Sequence, residues 1–258
     1  MTKKVAVVSM KGGVGKTTVS VNLACALADE NTQVALVDAD VQATATEWIA
    51  LGHLPITGHA IPLESLRGVR RWFESEARIR RTVNQMLTVD ADIEVIDLPP
   101  HLSGSAVASL AVCDLVVIPC GASAADISST AKTLELVERA REVRAGHPPV
   151  LIVPTRIDWR TGAGRAIEGA LALFGEPVGP AIAQRVAFAD SLGIGEWIGQ
   201  YAPNSPAHRE IELLADIVRG VLRQTEGAGQ AADIHQLAAE ARATAASGGG
   251  PQPDPEGA

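Results

Sequence analysis

Val5-Ala6-Val7-Val8-Ser9-Met10-Lys11-Gly12-Gly13-Val14-Gly15-Lys16-Thr17-Thr18 is the stretch on which the reading of this chain turns. It opens with an apolar, β-branched run that predicts a short buried strand. Three glycines follow, then Lys-Thr-Thr at the head of an apolar, helix-periodic segment. Glycines let the backbone fold tightly enough for its N–H groups to converge on an anion. The helix that follows adds its positive N-terminal end. Strand, glycines and helix together describe a phosphate-binding loop. The nucleotide-binding loop comprises Lys11, Gly12, Gly13, Val14, Gly15, Lys16, Thr17 and Thr18, and the backbone N–H groups from Gly13 to Thr18 would cradle phosphates. Lys16 would reach the β- and γ-phosphates, and the Thr17 hydroxyl would sit on Mg²⁺.

The loop departs from the common G-x-x-x-x-G-K-[ST] spelling, because Met10 stands where the first glycine belongs and a second lysine, Lys11, follows it. On the residues alone, Lys11 is an exposed loop lysine. Downstream, Gln33–Asp38 is a short apolar run that predicts a second strand, ending in Asp38-Ala39-Asp40-Val41-Gln42-Ala43-Thr44. Ligands in open α/β sheets gather at the carboxyl ends of strands, so both aspartates would face the phosphates. A carboxylate there can accept a proton from water or hold a metal-bound water. The alternative is that Asp38 and Asp40 cap the helix predicted to start near Thr44. Ile93-Glu94-Val95-Ile96-Asp97-Leu98-Pro99-Pro100 repeats the logic: an apolar strand ends in an aspartate, and two prolines stop regular structure. Asp97 would hold a water on Mg²⁺.

These three motifs resemble the deviant Walker A ATPases of the ParA/MinD family, and the resemblance covers about residues 4 to 224. It implies a single α/β P-loop domain of the SIMIBI type, with a mostly parallel twisted sheet and helices on both faces. It implies that Lys11 reaches across an ATP-sandwich homodimer to the partner's nucleotide, and that Asp40 positions the attacking water. The family's Asp-x-Asp is usually followed by Pro-Gln; Val41 replaces the proline here and Gln42 is kept. Without an added N-terminal DNA-binding domain, the chain is most similar to the short, ParF-like partition and cargo-positioning ATPases. The function implied is weak ATP hydrolysis to ADP and phosphate, stimulated by a cargo-adaptor protein of ParB or ParG type. In this scheme the ATP-bound dimer binds nucleoid DNA without sequence preference and positions a plasmid, chromosome or protein organelle. ATP and Mg²⁺ are the cofactors implied. Rival readings are a membrane-recruited, MinD-like regulator, a cluster-handling relative, or a small-molecule ligase or kinase on the same fold.

Composition narrows these choices. The chain has 258 residues, enough for one sizeable α/β core, and its formal net charge of −8 argues against a surface basic throughout. Cys25, Cys113 and Cys120 lack CxxC spacing and read as buried thiols of a reducing compartment. No apolar run approaches the roughly 18 residues of a membrane span. Met1-Thr2-Lys3-Lys4 leads directly into the first strand, so a cytoplasmic protein is expected, nucleoid-associated when ATP-bound.

The remaining segments are read as elements. A short strand is predicted over Ile56–Ile61 and an arginine-rich helix over Glu64–Leu87, either a DNA-facing patch or, with Glu74 and Glu76 at i,i+4 spacing, a solvated face. Leu102–Ala111 predicts a helix and Asp114–Cys120 a strand. By the resemblance an Asp follows this strand after a proline that Ser123-Ala124-Ala125-Asp126 lacks, and Asp126 reads equally as the N-cap of a helix running to about Arg144. Val150–Pro154 predicts a strand leading to Thr155-Arg156-Ile157-Asp158. By the resemblance, Arg156 and Asp158 lie near the adenine; alternatively they pair and order the loop. Thr161–Leu173 reads as a helix, Val178–Ala183 as a strand and Ser205–Gln224 as a long amphipathic helix. Arg185, Arg209, Arg219 and Arg223 are the candidate DNA contacts, each equally readable as a solvated residue. Residues 225–258 shift to Gly, Ala and Pro and predict a flexible tail holding at most a transient Ala-rich helix. That tail lacks the basic amphipathic character of a membrane-docking helix, so no stable membrane association is expected.

Overall fold

The computed structural model describes residues 2–61, 89–100, 104–144, 146–224 and 233–247. The arginine-rich segment 64–87 lies outside them. In chain order the elements are β1 (Lys3–Val7), α1 (Lys16–Leu27), β2 (Val34–Asp38), α2 (Thr44–Ala50), β3 (Thr57–Ala60), β4 (Ile93–Asp97), α3 (Gly104–Ala111), β5 (Leu115–Cys120), α4 (Ala124–Val143), β6 (Val150–Ile157), α5 (Gly162–Ala172), β7 (Ile182–Ala183), α6 (Val186–Gly193), α7 (Ile198–Tyr201), α8 (Pro206–Gln224) and α9 (Ile234–Ser247).

Seven strands form one parallel sheet in the order β3-β2-β4-β1-β5-β6-β7. Apart from the buried Lys4–Glu94 ion pair between β1 and β4, the central strands are mostly apolar on both faces because helices cover both, as a parallel sheet requires. In β1, Val5 and Val7 face one core while Ala6 and Val8 face the other. Helices α1, α6, α8 and α9 pack on the first side, and α3, α4 and α5 on the second. The register aligns Val7 with Asp97 and Asp38 with Asp97. Three strand ends are therefore level, and the loop leaving β1 rises beside both aspartates at the carboxyl edge of the sheet.

Three expectations are corrected. β6 continues through Ile157, three residues past the expected end, with Arg156 in the left-handed region at φ 56°. β7 is confined to Ile182–Ala183, Val178 making only an isolated bridge to Ile152. Residues 234–247 form a packed helix and not a transient one. Ile234, Ala238 and Ala241 of α9 are buried against α8, and the Arg242 guanidinium donates to the Val178 carbonyl. The helices approach closely at Gly220 of α8, where a Cβ would stand 3.0 Å from the Leu237 side chain. Ala238→Asp should therefore lower the thermal midpoint by roughly 5 °C or more, since an unpaired charge would enter an apolar contact. Ala239→Asp, one position along and exposed, should leave it within about 2 °C, and equal midpoints for the two variants would refute a docked α9.

Candidate nucleotide site

The loop from Ser9 to Gly15 is held open by its own glycines and from outside by polar side chains. Gly13 and Gly15 adopt φ 78° and φ 90°, a region costly for residues with a Cβ. Nothing lies within 4 Å of where a Cβ would stand on Gly12 or Gly13. α1 starts at Lys16 with no side chain capping its N-terminus, which leaves first-turn N–H groups to an incoming anion.

Lys16 is 8% exposed, and its Nζ donates to Asp97 Oδ1 at 2.7 Å. Ser20, one turn along α1, donates from Oγ to the same oxygen at 3.0 Å and to the Lys16 carbonyl at 3.0 Å. Burial pushes the Asp97 carboxyl up from the ordinary carboxylate range, against the pull of Lys16, Thr17 and Ser20. The structure thus brings the predicted phosphate lysine and the predicted metal aspartate into direct contact. Ser20 is a site residue that the sequence reading missed; its i+4 spacing from Lys16 was the available signal.

Asp38 and Asp40 separate in role. Asp38, 1% exposed, accepts from the Asp40 N–H at 3.1 Å, and its other oxygen accepts from the N–H and hydroxyl of Thr46 at 3.1 and 3.3 Å. It caps the first turn of α2, the alternative reading for this residue. Asp40 does not cap α2: its Oδ1 accepts the Gln42 N–H at 3.0 Å and shapes the turn.

Lys11 lies at the loop's mouth. Its Nζ donates to Asp126 Oδ1, and to Ser123 Oγ at 3.4 Å. Asp126 is not the N-cap of α4. Ser123 is the cap, and Asp126 completes a capping box, accepting the Ser123 N–H at 3.1 Å while its own N–H reaches Ser123 Oγ at 3.2 Å. Gly121 leaves room for this carboxylate: a Cβ there would meet Asp126 Oδ2 at 2.6 Å. Partial burial raises the Asp126 carboxyl, but the hydrogen bonds from Lys11 and Ser123 outweigh it and hold it below the usual carboxylate range. Deeper in α4, Thr133 Oγ1 accepts the Met10 N–H at 3.2 Å.

Arg156 and Asp158 do not pair. Arg156 Nη1 donates to the Gly13 carbonyl, whereas Asp158 is bound by Arg160 at 2.9 and 3.1 Å, which lowers its carboxyl. Two of the four DNA candidates have ordinary partners. Arg185 pairs with Glu210 at 2.8 Å; Arg219 pairs with Asp216 at 2.8 Å and donates to the Ala26 carbonyl. Arg209 and Arg223 are exposed on α8, 14 residues apart, which is about four turns and so one face. The three cysteines are free and buried. Desolvation raises their thiols, Cys113 to about 12. Among the described residues no helix is long and apolar enough to cross a membrane.

A parallel sheet carrying a glycine loop, a loop lysine on a strand-end aspartate and an uncapped helix start defines a P-loop nucleotide-binding protein. The family of CobQ/CobB/MinD/ParA nucleotide-binding domains matches residues 5–196, and the chain belongs to it. The chromosome-partitioning ATPase Soj of Thermus thermophilus is 32% identical over 239 residues, which cover 84% of this chain and 95% of Soj. Maintenance of carboxysome distribution protein A of Halothiobacillus neapolitanus is 28% identical over 67% of this chain and 75% of its own length. The septum site-determining protein MinD of Pyrococcus horikoshii, solved with Mg-ADP, superposes with a TM-score of 0.66 at 19% identity, over 89% of this chain and all of MinD. That likeness establishes the fold.

Proposed function

We propose that this chain is a ParA-type ATPase that closes into an ATP-bound homodimer, binds nucleoid DNA without sequence preference and positions a cargo through an adaptor protein that stimulates hydrolysis. The observation that carries the reading is Lys11. It is a second lysine in a loop already supplied with one, its side chain held at the mouth by the capping-box carboxylate of α4. Soj and the carboxysome distribution protein are, by their names, positioning proteins.

In this reading the N–H groups from Gly13 to Thr18 and the Lys16 ammonium would hold the phosphates. The Thr17 hydroxyl and Asp97 would hold Mg²⁺, Asp97 through water. Mg-ATP, when bound, supplies the transferable phosphoryl group and a cation that neutralises its charge. Asp40, fixed at Oδ1 by Gln42, orients the attacking water. Lys11 from the partner subunit adds positive charge where negative charge develops. Arg156 and Asp158 stand at the adenine side. Arg209 and Arg223 carry the DNA contacts, and the protein is cytoplasmic, nucleoid-bound in its ATP form.

Binding to non-specific double-stranded DNA should require ATP, be absent with ADP, and fall with salt at about 0.9 log units per log salt for each phosphate contacted. Arg209→Ala with Arg223→Ala should weaken it at least tenfold without altering ATP affinity. Absence of DNA binding in every nucleotide state would overturn the nucleoid reading; ATP-dependent liposome flotation or metabolite-dependent turnover would then identify the rival. Asp40→Ala should trap the ATP-bound dimer, and an unchanged hydrolysis rate would remove Asp40 from the mechanism.

A further inference from the structure

We infer that Arg156 is a positioning residue that shapes the phosphate loop, and that the left-handed backbone at Arg156 makes this possible. Consecutive strand residues send their side chains to opposite faces, so Thr155 and Arg156 should not both reach one loop. Here both do. Thr155 Oγ1 donates to the Val14 carbonyl at 2.7 Å, and Arg156 Nη1 donates to the adjoining Gly13 carbonyl. The alternation is broken at Arg156 itself, where φ is 56° and the β6–β7 register shifts between Thr155 and Ile157.

A left-handed backbone is unfavourable for an arginine and persists where its surroundings impose it. What it achieves here is a clamp. In a trans peptide the C=O and the following N–H point in opposite directions. Turning the carbonyls of Gly13 and Val14 toward β6 therefore turns the N–H groups of Val14 and Gly15 away from it, into the loop. Those are two of the donors that a polyphosphate needs, fixed before it arrives. The arginine stem lies along the loop: a Cβ on Gly15 would sit 3.7 Å from Arg156 Cγ. The nearby carboxylate that could have claimed the guanidinium, Asp158, is occupied by Arg160.

This inference rests on the nucleotide reading of the same loop and separates from the adenine role by its ligand dependence. Affinities for inorganic tripolyphosphate and for ATP are to be measured calorimetrically on the full chain, for wild type, Arg156→Ala, Arg156→Gly and Arg156→Lys. Both truncations should weaken tripolyphosphate and ATP by the same factor, about tenfold, the size of one lost charge-assisted hydrogen bond. Arg156→Lys, which keeps a donor, should recover most of the loss. Arg156→Gly accepts the left-handed backbone without strain, so its thermal midpoint should stay within about 2 °C of wild type while its phosphate affinity falls. Unchanged tripolyphosphate affinity in Arg156→Gly would overturn the clamp. ATP weakened alone would make Arg156 a base contact instead, and a large fall in midpoint would make it a structural residue. A wild-type chain that binds neither ligand would remove the nucleotide reading, and the clamp with it.

Discussion

Lys16→Ala should give a chain that shows no ATP binding in titrations where the wild type binds readily, and that unfolds roughly 5–10 °C lower. The two losses share one cause. Lys16 and Asp97 are both almost fully buried and meet at 2.7 Å, so the lysine that would grip phosphate also neutralises a buried carboxylate. Removing one member of a buried pair costs about 3 kcal/mol, because the other is left charged and desolvated. Asp97 can escape part of that cost by taking up a proton, since burial already favours its neutral form. The sign of the pH dependence follows. With Lys16 gone, the folded-state carboxyl titrates still further above its unfolded value, so the native state holds the extra proton. Stability is then greatest below the unfolded carboxylate range near pH 4 and falls as pH rises toward the folded value. The deficit of Lys16→Ala should thus be larger at pH 8 than at pH 5. Adding Asp97→Asn should flatten that dependence and restore part of the midpoint without restoring ATP binding. A double variant as unstable as the single one, at both pH values, would show that the pair contributes nothing through charge.

How far this chemistry could be read from the chain depends on how local each piece is. Strand β1, the loop and the start of α1 are contiguous, and each residue type has a local reason to be there. Asp38 and Asp97 were legible because an aspartate that ends an apolar strand has few other places to be. Which of Asp38 and Asp40 caps α2 was not legible. Both precede the helix, and only the fold shows that Asp38 reaches the Thr46 N–H. The contacts across the site were hidden for the same reason. Lys11 and Asp126 are 115 residues apart, and neither carries a mark of the other. The reading of α9 failed for a different cause. Its buried residues are mostly alanines, which give little periodic signal, and its close approach is to Gly220 of another helix. The extension of β6 through Arg156 was missed because a positive φ at arginine contradicts local preference, and such contradictions gather at functional sites.

Lys11→Ala should abolish adaptor-stimulated turnover, by at least about a thousandfold, while leaving ATP affinity within a few-fold of wild type. A cation delivered in trans to a phosphoryl group is worth that much or more, and Lys11 makes no bond that holds Lys16 or Asp97 in place. In the protomer Lys11 is not free to leave, because its ammonium is held by Asp126 and Ser123 at the start of α4. In the dimer proposed above, closure would exchange this contact for one across the interface, and a contact confined to the open protomer would shift the balance against closure. Asp126→Ala should therefore move the ATP-dependent monomer–dimer midpoint to lower protein concentration by about three- to tenfold, as a partly exposed pair allows. The hydrogen bonds of Lys11 and Ser123 hold the Asp126 carboxyl below its unfolded value, so the contact is complete above that value and is lost only as pH falls through the depressed one. Between pH 6 and 8 the shift caused by Asp126→Ala should consequently be constant. Light scattering on sized samples with ATP, alongside turnover with adaptor, measures both effects. Full stimulated turnover in Lys11→Ala would remove the lysine from the chemistry. An unmoved dimer midpoint in Asp126→Ala would show that the contact places no restraint on closure.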